Sequence, residues 1–262
     1  MGTSQSKPNT PGGGPLVPPW ADQDPPPPDQ AQPPPASPNT LPAAPFLGVR
    51  VALRDYLTTG DRRLGRRALG RYARAVGGGQ ASARHSRAAR AGGSAIAAIA
   101  AVAGAGGAPV TIDGFDLGAL AGLPLEDAIG AIVDRFCPAG ILDEDMARAA
   151  VAESLFIALD GSAPFDLSAI DDRTIVVATA SFVAELVFAS VALEQGNSAD
   201  GVAPDIAVRR ENDLRDLIRE VADQAAVPVI QRAGSALDAR TMEGLISQIT
   251  ATVYEEMSHW RT

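Results

Sequence analysis

The side chains with the most evident chemical potential in this sequence are arginines. Residues 50–90 hold 11 of them against two acids, Asp55 and Asp61. Arg62, Arg63, Arg66, Arg67, Arg71 and Arg74 are spaced so that most share one side of a helix, and Arg84, Arg87 and Arg90 continue on the next. A basic amphipathic helix can neutralise phosphates, bind anionic lipid or meet an acidic protein. The plainer alternative is a solvated face whose charges pair with the rest of the chain. Between Arg62 and Arg90 the only aromatic is Tyr72, which gives little support to stacking on single-stranded nucleic acid. Arg66, Arg67, Arg71 and Arg74 are the candidate partner-binding residues of this segment.

Other chemistry is thinly represented. A lone cysteine, Cys137, excludes an internal disulfide framework and a cysteine-based zinc site. It stands at a helix C-terminus, which disfavours a thiolate, so it reads as a small buried hydrophobe. His85 and His259 are the only histidines, too few for a His-rich metal centre, and a Ser-His-Asp triad is not indicated. His259 reads as an exposed surface residue. Asp143, Glu144, Asp145, Asp171 and Asp172 sit where helix N-termini attract acids, so capping explains them. Gly104, Gly106 and Gly107 follow a helix-like stretch, and no Walker A or G-x-G-x-x-G pattern follows a strand. No catalytic residue, metal site or cofactor is expected.

The chain start is more suggestive. It reads Met1-Gly2-Thr3-Ser4-Gln5-Ser6. Trimming of Met1 would expose the Gly2 amine. The string also fits the myristoylation pattern, although the Pro-, Ala- and Arg-rich composition looks bacterial, where such acylation is not expected.

Proline and charge divide the molecule that must position these groups. Residues 1–45 hold 15 of the 21 prolines, including Pro25–Pro28 and Pro33–Pro35. Such runs favour extended, solvated polyproline II, so a disordered tail is expected over 1–45. It contains no apolar segment after a basic start, hence no secretory signal is read there, and a cytoplasmic location is expected. Leu16-Val17-Pro18-Pro19-Trp20 interrupts it; Leu16 and Trp20 could dock in a partner groove or be incidental. Residues 50–90 carry a net +9, the tail −2 and residues 91–262 a net −16, within a whole-chain charge of −9. The acidic total argues against general nucleic-acid binding.

From residue 46 onward the pattern predicts an all-α bundle, in two parts: Arg/Ala-rich helices over 46–108 and an acidic helical body over 109–262. Helices are expected at Leu47–Leu57, from an Asp61 cap to Val76, at Ala81–Ala103 with a possible break at Gly92-Gly93, and at Pro124–Phe136. Further helices are expected at Glu144–Leu159 after an Asp143 cap, Asp172–Glu194, Ile206–Val227 with Pro228 disturbing its end, and Ala239–Met257. Val110-Thr111-Ile112 is the one extended candidate. Thr174–Leu193 has the length of a membrane span, but Glu185 and the Ala/Val/Thr content favour a buried helix in a bundle and no membrane association.

The start Met1-Gly2-Thr3-Ser4-Gln5-Ser6, the segment Pro15-Leu16-Val17-Pro18-Pro19-Trp20-Ala21, and the proline-rich acidic linker together resemble the QatB family of the Qat anti-phage defence system. Arg66-Arg67-Ala68-Leu69-Gly70-Arg71-Tyr72-Ala73-Arg74 and Cys137-Pro138 before an acidic, Ala-rich helix are also similar. The resemblance implies partners: an ATPase (QatA), a QueC-like enzyme (QatC) and a TatD-like nuclease (QatD). It further implies that the QueC-like enzyme joins a 7-deazaguanine carboxylate to Gly2, with Thr3, Ser4 and Ser6 as the recognised edge. On that basis the chain is a non-catalytic defence component. The alternative is a nucleic-acid-binding protein acting through Arg62–Arg90.

Overall fold

The structure is a computed structural model that describes residues 46–137, 142–159, 164–234 and 237–260. The expectations for the tail 1–45, and so for Gly2, Thr3, Ser4, Ser6, Leu16 and Trp20, fall outside the described residues. Among the described residues there are eight α-helices and one two-residue hairpin, which makes the fold all-α, as the periodicity predicts.

Helix α1 (Leu47–Thr59) ends where Gly60 turns left-handed at φ 74°. Helix α2 (Arg62–Val76) starts at Asp61, whose carboxylate accepts from the Arg63 amide at 2.8 Å, and stops at Gly77 with φ 102°. A 3-10 segment, Gly78–His85, then leads into α3 (Ser86–Gly104). This corrects the single expected helix Ala81–Ala103: its first turns are 3-10, with i→i+3 bonding.

The Gly92-Gly93 pair does not break α3 either. A Cβ on Gly92 would sit 2.4 Å from the Phe182 ring, and one on Gly93 would sit 2.8 Å from the Glu243 amide nitrogen. The two glycines are where α3 lies against its neighbours, so small size rather than helix breaking explains them. Gly70 does the same on α2, where a Cβ would come within 2.6 Å of the Trp260 carbonyl.

After α3, Thr111–Ile112 (β1) pairs antiparallel with Phe115–Asp116 (β2) around Asp113 (φ 49°) and Gly114 (φ 80°). Two positive φ angles in an Asp-Gly pair are the requirement of a type I′ hairpin, so the extended candidate at 110–112 acquires a partner. Helix α4 (Leu125–Phe136) begins one residue later than expected, with Pro124 extended at its cap. Helix α5 (Leu142–Ala158) begins before Asp143, which is therefore inside the first turn and not the cap.

Helix α6 (Asp172–Leu193) has a mean hydropathy of 2.1 in its most apolar window and is mostly buried. Asp171 and Thr174 form a reciprocal capping box at its start. Helices α5 and α7 flank it, which is how an almost wholly apolar helix is accommodated in a bundle. Its one buried charge, Glu185, meets Arg215 of α7 at 3.0 Å, and the Arg215 guanidinium lies 4.4 Å from the Phe188 ring centre. Burial pushes the Glu185 carboxyl above its usual range, with Arg215 opposing that shift.

Helix α7 (Pro204–Ala233) runs on through Pro228, against the expected end near Val227. Proline removes one backbone hydrogen bond, but Ala225, Ala226, Val229 and Ile230 are buried on both sides of it. That apolar burial outweighs a single lost bond on an exposed face. Helix α8 (Ala239–Ser258) closes the fold behind an Asp238 cap and packs along α3, α7 and α2.

Candidate functional site

The arginine segment is distributed around α2 according to what each side chain can reach. Arg62 and Arg66 face α7, where both approach the Glu220 carboxylate, Arg66 at 3.9 Å. The Arg66 guanidinium also lies 5.5 Å from the Trp260 ring centre. Arg71 donates to the Gly48 carbonyl of α1 at 3.0 Å. Arg74 donates to the Ser258 and Trp260 carbonyls, at 2.5 and 3.3 Å, just beyond the last turn of α8. Carbonyls at a helix C-terminus lack intrahelical donors and carry partial negative charge, so a guanidinium is well suited there. Arg67 is half-buried, and its Nε has no hydrogen-bond partner among the described residues.

The four candidate arginines therefore divide. Arg71 and Arg74 fasten α2 to α1 and to the end of α8. Arg66 keeps about half its side chain exposed, 51%, despite its contacts with Glu220 and Trp260. On the following helix Arg90 pairs with Glu243 of α8 at 3.6 Å. Part of the basic segment is thus neutralised by the acidic body, and Arg62 and Arg66, which share the single Glu220 carboxylate, keep about half of each side chain exposed.

Directly beneath this segment lies a polar cluster that sequence inspection did not single out. His85 Nε2 and the Tyr254 hydroxyl are 2.8 Å apart, and their rings stack with centres 5.7 Å apart and planes 5° from parallel. The Tyr72 ring lies beside them, its centre 6.2 Å from that of Tyr254. Ser190 of α6 lies beside them and donates to the Leu186 carbonyl at 2.9 Å. Burial raises the Tyr72 and Tyr254 phenols above their usual range. Four elements contribute to this cluster: α2, the 3-10 segment, α6 and α8. His85 and Tyr254 are 169 positions apart, so no local motif could announce the pair.

The remaining candidates resolve simply. Cys137 is buried, its thiol held 3.8 Å from the Ala91 carbonyl and pushed up to about 11 by desolvation. It is a poor nucleophile, as its position at a helix end implies. His259 is exposed and lies 3.6 Å from Glu255, one turn earlier. Asp61, Asp116, Asp166, Asp171 and Asp238 each accept an amide hydrogen at the start of a helical segment, so their role is capping.

A family model described as "Qat anti-phage system associated protein QatB" matches residues 77–257, well over half of the chain. The match runs from the glycine that ends α2 to the last turn of α8, and so contains His85, Ser190 and Tyr254 but none of Arg66, Arg67, Arg71 and Arg74. Neither the curated proteins nor the solved structures contain a match. The chain, an all-α bundle matched by that model over most of its helices, belongs to the QatB family.

Proposed function

We propose that this component of the Qat anti-phage system acts without catalysis of its own, offering its N-terminal glycine for modification and its helical body for assembly. The observation that carries the reading is QatB family membership in a chain that begins Met1-Gly2-Thr3-Ser4. Removal of Met1 leaves an α-amine whose pKa of about 7.7–8.0 keeps a useful neutral fraction near neutral pH. Glycine places no side chain in the path of that amine. The amine attacks the activated carboxyl carbon of a 7-deazaguanine held by a QueC-like partner (QatC). An amide bond forms, the activating group departs with its electron pair, and the amine loses a proton. Thr3, Ser4 and Ser6 are small enough to follow Gly2 into a cleft.

The body docks through the exposed part of the arginine face, Arg66 above all, together with Leu16 and Trp20; the Qat ATPase (QatA) and the TatD-like nuclease (QatD) are the expected neighbours. The supporting contacts are those of Arg71 and Arg74, which are already spent on backbone carbonyls of the same chain. Arg66→Glu should weaken assembly with little loss of stability, because exposed ion pairs contribute about 0–1 kcal/mol each. Arg71→Glu with Arg74→Glu should instead loosen the contacts of α2 with α1 and α8.

Intact-mass spectrometry of the protein co-expressed with its QueC-like partner tests the central step. An adduct on wild type that disappears in Gly2→Pro and Gly2→Glu is expected. An unmodified wild type, or full phage protection from both variants, would overturn the reading. A salt-dependent gel shift retained without residues 1–45 would move the function to nucleic acid and the arginine helices.

A further inference from the structure

Among the described residues, Arg84 and Arg87 make no ion pair within 4.0 Å, although the chain has 31 acids. Arg90, one turn beyond Arg87, instead pairs with Glu243. Both residues line one cavity of about 270 Å³, and Tyr72, Tyr254, His85 and Ser190 line the same cavity. Arg84 is near enough to the two phenols to act on them electrostatically. The one acid in the lining is Glu194, and Arg50 approaches it at 3.7 Å while donating to its backbone carbonyl at 3.1 Å. That carboxylate is therefore already compensated.

Two cations without acidic partners among the described residues, over a set of hydroxyl groups and an imidazole, make an arrangement that an anion would complete. Phenol hydroxyls can each donate or accept, so Tyr72 and Tyr254 can offer a hydrogen bond to an occupant. Guanidiniums suit phosphate because their fork of N–H donors matches its oxygens. Two of them balance the charge of a dianion. The cavity falls just below the range of about 300–1,000 Å³ that takes drug-sized ligands, so its occupant is a small metabolite. Apolar side chains of Leu186 and Met146 complete the walls and suit a neutral body attached to the charged end.

We propose that this cavity binds a small phosphate monoester, with the phosphate at Arg84 and Arg87 and the organic part toward Tyr254 and Leu186. The site is independent of the modification of Gly2 and would persist if that reading failed. Isothermal titration of the full chain tests it with inorganic phosphate, ribose 5-phosphate and adenosine monophosphate, against ribose and adenosine as neutral counterparts. At least one phosphate ester should bind with one-to-one stoichiometry and weaken as salt rises. Arg84→Ala with Arg87→Ala should lower that affinity by about tenfold or more, while circular dichroism and the thermal midpoint stay unchanged because both side chains are exposed. Arg63→Ala, on α2 and outside the cavity lining, should bind as wild type does. Tyr254→Phe should weaken binding several-fold by removing one hydroxyl. No heat from any phosphate probe at about 1 mM would overturn the proposal. So would equal binding of the neutral counterparts, or unchanged affinity in the double arginine variant.

Discussion

Replacing Gly93 by alanine should destabilise the bundle by an amount that can be worked from its geometry. The new Cβ would lie 2.8 Å from the Glu243 amide nitrogen, 3.1 Å from the Glu243 Cα and 3.2 Å from the Ala239 carbonyl oxygen. Unstrained heavy-atom contacts lie at about 3.5–4.0 Å. All three obstacles are backbone, so no rotamer change relieves them and the first turn of α8 must move away from α3. Overpacking of this kind costs about 1–3 kcal/mol. Alanine returns about 0.5–1 kcal/mol of helix propensity over glycine, which leaves a net loss of up to about 2.5 kcal/mol, centred near 1. Gly244→Ala is the matched control. It is one residue past Glu243 on α8, exposed, with no heavy atom within 4 Å of its new Cβ, so it should gain about 0.5–1 kcal/mol. Gly92→Ala separates the mechanism further, because its obstacle is the far edge of the buried Phe182 ring. Phe182→Leu removes those atoms and should abolish most of the Gly92→Ala penalty while leaving the Gly93→Ala penalty intact. Urea titrations of the four single variants and the two Phe182→Leu double variants, followed by far-ultraviolet circular dichroism, give these values. Gly93→Ala at or above wild-type stability, or rescue of Gly93→Ala by Phe182→Leu, would refute the close-approach account of this pair.

Other outcomes follow from the buried and capping groups. Glu185 has a folded pKa above its unfolded one, so its contribution is full at acid pH and is lost as pH rises through the folded value; Glu185→Gln should therefore flatten the fall in stability as pH rises above about 4, measured by thermal melts across a pH series. Asp171 has the opposite sign, since amide hydrogen bonds from Thr174 lower its pKa; its contribution is present above about pH 4 and is lost on acidification through the folded value. Asp171→Ala should cost about 1 kcal/mol at neutral pH by opening the capping box of α6, and chemical denaturation reads it. Cys137 should resist a thiol-specific reagent in the native protein at pH 8 and react fully once unfolded; rapid native reaction would contradict its burial and its raised pKa.

Helix placement was legible from sequence wherever periodicity and punctuation agreed. Asp61 and Gly77 bound α2, Asp171 opens α6 and Asp238 opens α8, because caps act through bonds two or three residues away. The burial of α6 within the bundle was legible too, from Glu185 and the Ala/Val/Thr content of an otherwise apolar helix, whereas the pairing of Glu185 with Arg215 was not. Glycine and proline were ambiguous for a physical reason. Both weaken a helix locally, yet Gly92-Gly93 lets α3 touch Phe182 and α8, and Pro228 is carried by the apolar burial on either side. Whether a weak residue breaks a helix depends on the packing energy available around it, which local sequence does not contain. The arginines show the same divide. Their charge and spacing were readable, but which of them fasten the fold and which remain uncompensated was decided by where carbonyls, Glu220 and Glu243 fall in space. The Tyr72, His85, Ser190 and Tyr254 cluster belongs wholly to the tertiary structure, because hydrogen bonds act over about 3 Å of space whatever the separation along the chain.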